Sequence, residues 1–402
     1  MHRRAFLALA GVAAAAGRPA RAAPATVQPQ RPGALVHSGY DPWIEVRPAH
    51  LAHNVREVAR VARVPILAVI KNNGYGLGVV EVARALGPEP AIAGFAVIKL
   101  HEAVALRDAG VTKPILLMGP FDERDLALVH ERRIMPMVYT PIGDALERAA
   151  ARAGRAIRIH VCVDTGIGRV GVPHGEARAL IRDLASRKSI AIDGVMMTFA
   201  ENLDFDREQR ARFVSLTSDL AAEGVALGRR HAASSFALFQ HTDAAFDMVR
   251  PGMALFGIYP ELPFRTAGVM DLRPAVALRA RVAYVKKLVA GTSAGYNRAY
   301  VAARDTWVAT LPVGHADGWP RVAAKGARVR IGDRLYPLIA SVSASHTIVE
   351  IGPEPAVRIG DIATLFDWQD GSRPEDVAAA CGASVYDLTM HLGPLLPRRV
   401  LA

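Results

Sequence analysis

One segment of the chain reads Leu67-Ala68-Val69-Ile70-Lys71-Asn72-Asn73-Gly74-Tyr75-Gly76-Leu77-Gly78. Its apolar first part predicts a buried strand, and Lys71 stands where that strand ends. Burial at such a position lowers the pKa of the ammonium group and frees the amine to attack a carbonyl. The glycines that follow let backbone N–H groups approach an anion closely, and Tyr75 adds a hydroxyl.

This combination suits a Schiff-base cofactor that carries a phosphate, and so predicts pyridoxal phosphate on Lys71. The alternative is that Lys71 only extends its ammonium group to water, as most lysines at strand ends do. This segment alone does not decide between the two interpretations, so further support has to come from the rest of the chain.

Short apolar runs alternate with amphipathic segments from residue 41 to about residue 271. We predict strands at 65–70, 92–97, 114–118, 135–139, 157–163, 192–197, 230–233 and 247–250, with helices between them, for example at 50–63, 175–187 and 215–227. Eight strand–helix alternations over about 220 residues are typical of a (β/α)8 TIM barrel. In that fold the active site collects at the C-terminal ends of the strands, which is where Lys71 lies.

The pattern changes at about Leu272. Strand-like runs follow at 276–288, 306–312, 327–331, 338–342, 347–351 and 362–365, separated by Gly and Asp residues. This predicts a second, β-rich domain. The fold class is therefore α/β, with a cofactor-binding barrel over residues 41–271 and a C-terminal β domain over residues 272–402.

The first 22 residues have the features of an export signal. Arg3-Arg4 precede an apolar run that extends to Ala16, and Ala20-Arg21-Ala22 offers a cleavage site between small residues. The apolar run is too short for a stable membrane anchor, and the paired arginines favour the twin-arginine route. The sequence predicts a signal peptide at 1–22, a linker at 23–40 and a periplasmic or otherwise exported protein. The alternative is a cytoplasmic protein with an Ala-rich start.

Composition and charge limit the partners of the chain. Its 402 residues, 51% of them hydrophobic and 22% charged, suffice for a large core. Loss of residues 1–22 removes four arginines and no acid, so the formal net charge falls from +11 to +7. The remaining basic residues form no long run, which argues against nucleic acid as a partner. Cys162 and Cys381 lie far apart without metal-ligand spacing, so we predict buried thiols and no metal site.

Several segments resemble motifs of the alanine racemase family. The Lys71 segment resembles the family's lysine motif, Val-x-Lys-Ala-Asn-Ala-Tyr-Gly-His-Gly, with Leu77 in place of the histidine. The other matching segments are Asp164-Thr165-Gly166-Ile167-Gly168-Arg169, Met248-Val249-Arg250-Pro251-Gly252-Met253-Ala254-Leu255-Phe256-Gly257, Gly295-Tyr296-Asn297-Arg298-Ala299-Tyr300 and Val313-Gly314-His315-Ala316-Asp317-Gly318. They occur in the family's order and cover nearly all of the chain beyond the signal peptide.

The resemblance implies a role for each matching residue. Lys71 would bind pyridoxal phosphate and act as one base, and Tyr296 would be the second base on the opposite face of the substrate Cα, because racemisation takes a proton from one face and returns it to the other. Arg250 would face the pyridine nitrogen and oppose its protonation. The phosphate would bind to Tyr75, Ser235, the backbone N–H groups of Gly252 and Met253, and Tyr386. Arg169 would orient the substrate carboxylate.

The resemblance also implies a homodimer in which Tyr296 of one subunit completes the site of the other. The substrate side chain would lie against Ala344, in Ser343-Ala344-Ser345-His346, where the family has Cys-Met-Asp-Gln. The chain departs from the family at four other positions as well. Cys162 replaces a lysine that is often carbamylated, Thr198 replaces a histidine, His315 replaces a tyrosine and Ser234 replaces an asparagine.

The sequence therefore predicts a pyridoxal-phosphate amino-acid racemase that interconverts L- and D-alanine by a two-base mechanism. Two alternatives remain open. One is an exported broad-specificity racemase that acts on larger amino acids, because Ala344 leaves room beside the substrate side chain. The other is a homologue that binds the cofactor with weak or no racemase activity, because Cys162, Thr198 and Ser345 alter the site. A decarboxylase of similar architecture would need acidic residues that we do not find.

Overall fold

The computed structural model describes residues 36–241 and 243–401; the predicted signal peptide and residues 23–35 of the predicted linker lie outside them. The strands are β1 Trp43–Val46, β2 Ile66–Val69, β3 Ile92–Val97, β4 Ile115–Leu117, β5 Ile134–Val138, β6 Ile157–Asp164, β7 Val172–Pro173, β8 Ile190–Met196, β9 Arg229–His231, β10 Val276–Arg281, β11 Tyr284–Leu288, β12 Ser293–Ala294, β13 Tyr300–Val301, β14 Thr306–Leu311, β15 Arg328–Ile331, β16 Arg334–Ile339, β17 Thr347–Gly352, β18 Ile362–Phe366 and β19 Arg398–Val400.

The helices are α1 Pro48–Ala62, the single turn α2 Lys71–Tyr75, α3 Val79–Leu86, α4 Leu100–Asp108, α5 Leu126–Glu131, α6 Gly143–Ala153, α7 His174–Ser186, α8 Leu203–Ala222, α9 Ala237–Gln240, α10 Leu262–Thr266, α11 Pro374–Cys381 and α12 Val385–Thr389. Short 3-10 turns occur at Glu123–Asp125, Met253–Phe256, Tyr296–Arg298, His315–Asp317 and Arg321–Lys325. None of the described helices is both long and apolar enough to cross a lipid bilayer.

A parallel sheet curls into the predicted barrel. Its strands follow the order β2, β3, β4, β5, β6, β8 and β9, with helices in the connections. The predicted eighth strand at 247–250 closes the barrel through two isolated bridges, from Met248 to His231 of β9 and from Val249 to Ile66 of β2. The amide of Leu67 also donates to the carbonyl of Val249 at 2.9 Å. The barrel is confirmed, although its last strand is only a short pairing.

The two-residue period of the strands separates the inside of the barrel from its outside. The inward side chains form a small apolar cluster composed of Leu67, Val69, Ala96, Leu116, Met135, Met137, Cys162, Met196 and Met248. In β2 the alternate residues, Ile66 and Ala68, belong instead to the large core beneath the surrounding helices. The apolar interior is a filled core, so the open space lies above it, at the C-terminal ends of the strands.

A nine-stranded sheet forms the predicted β domain, in the order β11, β14, β17, β16, β15, β18, β10, β1 and β19. Its pairings are antiparallel except that of β1 with β19. Strand β1 lies inside the range 41–271 predicted for the barrel, yet Ile44 pairs with Leu278 of β10 and with Arg398 of β19. The N-terminal strand therefore belongs to the second sheet.

Three elements predicted from the sequence differ from the structure. The strand expected at 338–342 is β16, which begins earlier, at Arg334, and ends at Ile339. The helix expected at 215–227 is the end of the longer α8, which begins where the Asn202 side chain accepts from the amide of Phe205 at 3.2 Å. Helix α8 stops before Gly224, whose φ of 82° lies in the left-handed region. The strand expected at 276–288 is two strands, because the chain leaves the edge of β18 after Arg281 and pairs with β14 from Tyr284 onward.

Candidate active site

A cavity of ≈ 490 Å³ opens at the C-terminal ends of the barrel strands. It brings together most of the residues predicted for the site: Lys71, Tyr75, Arg169, Ser235, Arg250, Gly252, Met253 and Tyr386. These residues come from the loops after β2, β6 and β9, from the segment that closes the barrel, and from α12. Two predicted residues, Tyr296 and Ala344, do not line the cavity.

Lys71 begins an unusual turn directly after β2. Asn72, Asn73, Gly74 and Tyr75 all have positive φ, between 53° and 62°, so α2 is a left-handed turn. Such a conformation costs roughly 1–2 kcal/mol for each residue with a Cβ, although asparagine tolerates it better than most. The turn reverses the chain so that the side chains of Lys71 and Tyr75 both reach the cavity. Strain at this position is a feature of functional sites.

The environment of Lys71 favours a neutral amine. Its pKa is lowered, first by burial and then by the positive charge of Arg169, while the carboxylate of Glu102 acts in the opposite direction. An uncharged amine is the form that attacks a carbonyl. The sequence predicted a lowered pKa for Lys71 from its position at the end of a buried strand. In the structure burial is indeed the main cause of the lowered pKa.

Hydroxyl and amide groups gather at one end of the cavity. The Ser235 hydroxyl accepts from the amides of Gly252 at 3.0 Å and Ala254 at 3.1 Å, at the start of a 3-10 turn. The Tyr75 hydroxyl lies so close to Gly252 that a Cβ at position 252 would overlap it. Only glycine therefore leaves room for the tyrosine and the backbone to approach one ligand together. The amide of Gly252, which was predicted to bind phosphate, donates to the Ser235 hydroxyl, and its role toward phosphate stays a prediction.

Two aromatic residues shape the same end of the cavity. Tyr75 is 3% exposed and stacks on Phe256, with ring centroids 4.5 Å apart. Tyr386 lies farther out, 6.4 Å from Tyr75 between ring centroids, and is 42% exposed. Partial burial and the nearby Glu201 raise the pKa of Tyr386 to about 12. Both phenols are thus protonated at neutral pH and can donate hydrogen bonds to an anion.

Arg250 is held rigidly beneath the cavity. Its Nη1 donates to Nδ1 of His231 at 2.8 Å and to the His231 carbonyl at 2.7 Å, and its Nη2 donates to the Met197 carbonyl at 2.6 Å. Burial lowers its pKa to about 10, so the guanidinium keeps its charge at neutral pH. No acceptor in the described residues binds Nε, which is free to donate to a ligand.

A chain of buried side chains continues from Arg250 through the barrel. His231 accepts from Arg250 at Nδ1, so its proton lies on Nε2, 2.8 Å from Nδ1 of His160. The proton of His160 then lies on its own Nε2, 3.6 Å from the carboxylate of Asp193. Asp193 also forms an ion pair with Arg158 at 2.7 Å. The order of donors and acceptors fixes the tautomer of both histidines.

The two buried histidines make stability depend on pH. Burial lowers the pKa of both His160 and His231 below 6.5 in the folded protein. As pH falls below 6.5 the unfolded chain binds protons that the folded chain does not, so the folded state loses stability by roughly 1.4 kcal/mol per pH unit for each histidine. We expect urea denaturation at pH 8, 6 and 5 to show this loss, and His160→Gln to reduce it. An equal reduction in His174→Gln, at an exposed position, would contradict the assignment.

At the corner beside Arg169, Cys162 stands where the family has a lysine that is often carbamylated. Cys162 lines the cavity there and is 3% exposed. Burial raises the pKa of its thiol to about 11, despite the positive charges of Arg250 and Arg169. The thiol is therefore neutral at physiological pH and does not supply the negative charge of a carbamylated lysine. Thr198, another departure from the family, also lines the cavity.

Tyr296 and Ala344 lie in the β domain, outside the cavity. Tyr296 begins the 3-10 turn Tyr296–Arg298 and is 76% exposed. Ala344 is exposed as well, and its carbonyl accepts from the amide of Ala316 at 3.0 Å. His315 pairs with Arg321 at 3.0 Å. None of the three, Tyr296, Ala344 or His315, lines the cavity that contains Lys71.

Several residues of the site were not predicted. His160 lies on the same face of β6 as Cys162, two residues away, and its Nδ1 lies 2.8 Å from Nε2 of His231, which is in β9. A polar residue at the inward position of a barrel strand is the sequence signal that would have found them. Glu102 is 3% exposed and bonds to the Lys71 turn; its signal is a glutamate in the first turn of a helix after a strand.

The comparisons with known proteins match this geometry. The family model described as "Alanine racemase, N-terminal domain" matches residues 46–260, and that of the C-terminal domain matches residues 275–400. This chain belongs to the alanine racemase family. An alanine racemase of Symbiobacterium thermophilum is 35% identical over 364 residues, covering 89% of this chain and 96% of the relative. The chain is thus an isomerase of the racemase type.

Solved structures of the family have the same architecture. The alanine racemase of a D-cycloserine-producing Streptomyces lavendulae has a TM-score of 0.85 and 29% identity, covering 91% of this chain and 98% of that one. The Bacillus anthracis alanine racemase with bound L-Ala-P has a TM-score of 0.81 and 28% identity, covering 91% and 96%. The (β/α)8 barrel followed by a β domain is therefore the fold of the alanine racemase family.

Alanine racemases use pyridoxal phosphate, and the cavity fits it. The half-buried amine of Lys71 suits its aldehyde, and the hydroxyl and amide groups around Ser235 suit its phosphate. The free Nε of Arg250 suits the ring nitrogen as an acceptor. The overlap that a Cβ at Gly252 would cause with Tyr75 shows how closely the backbone is packed at the phosphate end.

Proposed function

We propose that this racemase interconverts the L- and D-forms of an amino acid, with alanine as the default substrate, and that Lys71 and Tyr296 are its two bases. The observation that carries the proposal is the convergence of Lys71, Arg250 and the hydroxyl groups of Tyr75, Ser235 and Tyr386 on one cavity. The alanine racemase relatives support alanine as the substrate.

Each residue has a separate task in the proposed reaction. Pyridoxal phosphate, when bound, withdraws electrons and so makes the Cα proton of the substrate acidic. The amine of Lys71 exchanges a proton with one face of Cα, and the hydroxyl of Tyr296 exchanges a proton with the other. Arg250 donates a hydrogen bond to the ring nitrogen. Because the guanidinium stays charged, it disfavours protonation of that nitrogen. Arg169 orients the substrate carboxylate by a charge-assisted hydrogen bond.

We propose that a second copy of the chain supplies the second base. Tyr296 is 76% exposed and lies on a turn of the β domain that does not line the cavity. We propose a homodimer in which this turn of one subunit covers the cavity of the other. A two-fold interface would complete both cavities at once, because each subunit both gives and receives the same surface.

The direct test is chiral analysis of products from a panel of single L-amino acids incubated with the cofactor-loaded protein. Formation of D-alanine would support the proposal. If the protein binds the cofactor but produces no D-isomer from any member of the panel, it is a cofactor-binding homologue without racemase activity. The neutral thiol of Cys162 beside Arg169 favours this second candidate, because the substrate carboxylate site then lacks its usual arrangement.

We propose further that the range of substrates extends to larger amino acids such as serine, lysine or arginine. Ala344 replaces a methionine of the family and His315 replaces a tyrosine, so the side-chain end of a completed site is wider. A pocket discriminates a methylene group by only about 1–3 kcal/mol, so extra volume relaxes selection easily.

Ala344→Met tests this width. We expect the variant to lose kcat/KM for the larger substrate roughly 10- to 200-fold more than for alanine, because the new side chain fills volume that only the larger substrate needs. Ala356→Met, at another exposed position of the β domain, is the control and should leave the ratio of the two substrates unchanged. An equal loss for both substrates in Ala344→Met would remove position 344 from the specificity pocket.

We also propose that the protein is exported with its cofactor, by a twin-arginine signal at residues 1–22. Arg3-Arg4, the apolar run and Ala20-Arg21-Ala22 support this. The two cysteines are buried and unpaired, so an oxidising compartment offers them no partner. Arg3→Lys with Arg4→Lys should retain the protein in the cytoplasmic fraction, and recovery of mature protein from the periplasmic fraction of that variant would count against the route.

A further inference from the structure

Glu102 is a buried carboxylate between the loops that follow β2 and β3. It lies in the first turn of α4, is 3% exposed, and does not line the cavity. Burying a carboxylate is costly unless hydrogen bonds replace its hydration. The groups that replace it show what this residue does.

The two oxygens of Glu102 bind two different segments. Oε2 accepts from the amides of Lys99 at 3.1 Å and Ile98 at 3.3 Å, which is ordinary capping of the start of α4. Oε1 accepts from the amide of Asn73 at 2.7 Å, two residues beyond Lys71. Glu102 therefore joins the Lys71 turn to the neighbouring strand–helix connection.

The left-handed turn depends on such external bonds. The carbonyl of Asn73 accepts from the amide of Gly78 at 2.8 Å, and its side-chain oxygen accepts from the amide of Val79 at 3.1 Å. These bonds attach the turn to the start of α3. The bond to Glu102 attaches the turn to the start of α4, the helix that follows the neighbouring strand β3.

Glu102 also acts on Lys71 by its charge. Burial and Arg169 lower the pKa of Lys71, and the negative charge of Glu102 raises it. Among the described residues, it is the one carboxylate whose charge raises the pKa of Lys71. Its charge thus offsets part of the effect of Arg169.

We propose that Glu102 is a positioning residue for Lys71: it fixes the left-handed turn against the start of α4 and supplies the negative charge that balances Arg169. This deepens the proposed function and rests on the proposed role of Lys71. Glu102 itself touches neither the cavity nor the reacting atoms.

Glu102→Gln is the sharpest variant, because glutamine has the same shape but one acceptor oxygen. The amide cannot accept on both sides, so either Asn73 or the Ile98–Lys99 amides must lose their partner. The variant also removes the negative charge of residue 102 that acts on Lys71. Glu102→Asp keeps the charge and both acceptors but shortens the side chain, and so separates the charge effect from the geometric effect.

The first measurement uses the full chain freed of cofactor with hydroxylamine. Trace acetic anhydride labels uncharged amines, and peptide mapping reports the labelling of Lys71 against an internal standard. At pH 8 we expect roughly threefold or more labelling of Lys71 in Glu102→Gln relative to wild type, because removing a nearby negative charge favours the neutral amine. Glu102→Asp should restore labelling toward the wild-type value.

Asp206→Asn is the matched control. Asp206 is 1% exposed and accepts from the amides of Ala200 at 3.1 Å and Asn202 at 3.3 Å, at the start of α8. Its other oxygen lies 3.0 Å from Nε2 of His241, so it is a similarly buried carboxylate in another loop, and its charge does not act on Lys71. It should leave Lys71 labelling at the wild-type level. Unchanged labelling in Glu102→Gln, or an equal increase in Asp206→Asn, would overturn the proposal.

A second measurement needs no variant. In wild-type holoenzyme, hydrogen exchange of the peptide that covers residues 71–78 should be slower than that of the exposed turn at 152–156, at the opposite end of the barrel, since Asn73 donates to a buried carboxylate. Exchange as fast as in that turn would contradict the proposed attachment. Both measurements report on the Lys71 turn whether or not Lys71 binds the cofactor. The proposed role of Lys71 is tested separately, by whether borohydride reduction fixes the cofactor on it.

Discussion

Replacing Lys71 with alanine is expected to reduce racemisation at least about 10⁴-fold, because the change removes both the attachment point of the cofactor and one of the two bases. The rate is followed as D-alanine formed from L-alanine by chiral chromatography. The loss should appear in kcat and should persist when pyridoxal phosphate is added in excess, since free cofactor does not supply a base at that face of the substrate.

Borohydride reduction identifies the attachment point independently of activity. The reduced wild-type protein should carry the pyridoxyl label on the peptide that contains Lys71, and Lys71→Ala should carry none at that peptide. Lys188→Ala is the matched control, because Lys188 is exposed beside the start of β8, at the opposite end of the barrel. A label on a lysine other than Lys71 in the wild-type protein would contradict the assignment, whatever the activity of the variants.

The position of Lys71 was predictable because it follows from local pattern. An apolar run of strand length ends at the lysine, and parallel strands bring such ends to one face of a barrel. The same reasoning placed the loops that carry Arg169, Ser235 and Arg250 near Lys71. Resemblance to the family supplied their roles, since a lone arginine or serine gives no chemical signal of its own.

Features that depend on distant contacts were not predictable in the same way. Strand β1 pairs with β10 and β19, which lie more than 200 residues later in the chain. The sequence Trp43–Val46 does not indicate these pairing partners. The left-handed turn at Asn72–Tyr75 is stabilised by Glu102, 29 residues from Asn73. The path from Arg250 through His231 to His160 crosses the barrel between strands. In each case local preference is outweighed by partners that only the fold brings together.

The exposure of Tyr296 leads to the second large effect. Tyr296→Phe removes one hydroxyl and leaves the ring, and we expect kcat to fall about 10²- to 10⁴-fold, the usual contribution of a proton-transfer group. Lys71 and the cofactor remain, so borohydride labelling of Lys71 should be unchanged. A loss of labelling would instead indicate a structural role for Tyr296.

If Tyr296 of one subunit serves the Lys71 of another, two inactive variants should restore activity together. Random mixing of equal amounts of Lys71→Ala and Tyr296→Phe subunits makes about half of the dimers mixed, and each mixed dimer has one site with both native residues and one with neither. The expected activity is therefore about a quarter of the wild-type value per subunit. In the control, Lys71→Ala is mixed with the double variant Lys71→Ala, Tyr296→Phe, and no arrangement yields a native pair. If both residues act within one subunit, the first mixture will stay as inactive as its parents even when mixed dimers are present. Tyr296, which is 76% exposed, would then have to reach Lys71 of its own subunit by closure of the β domain.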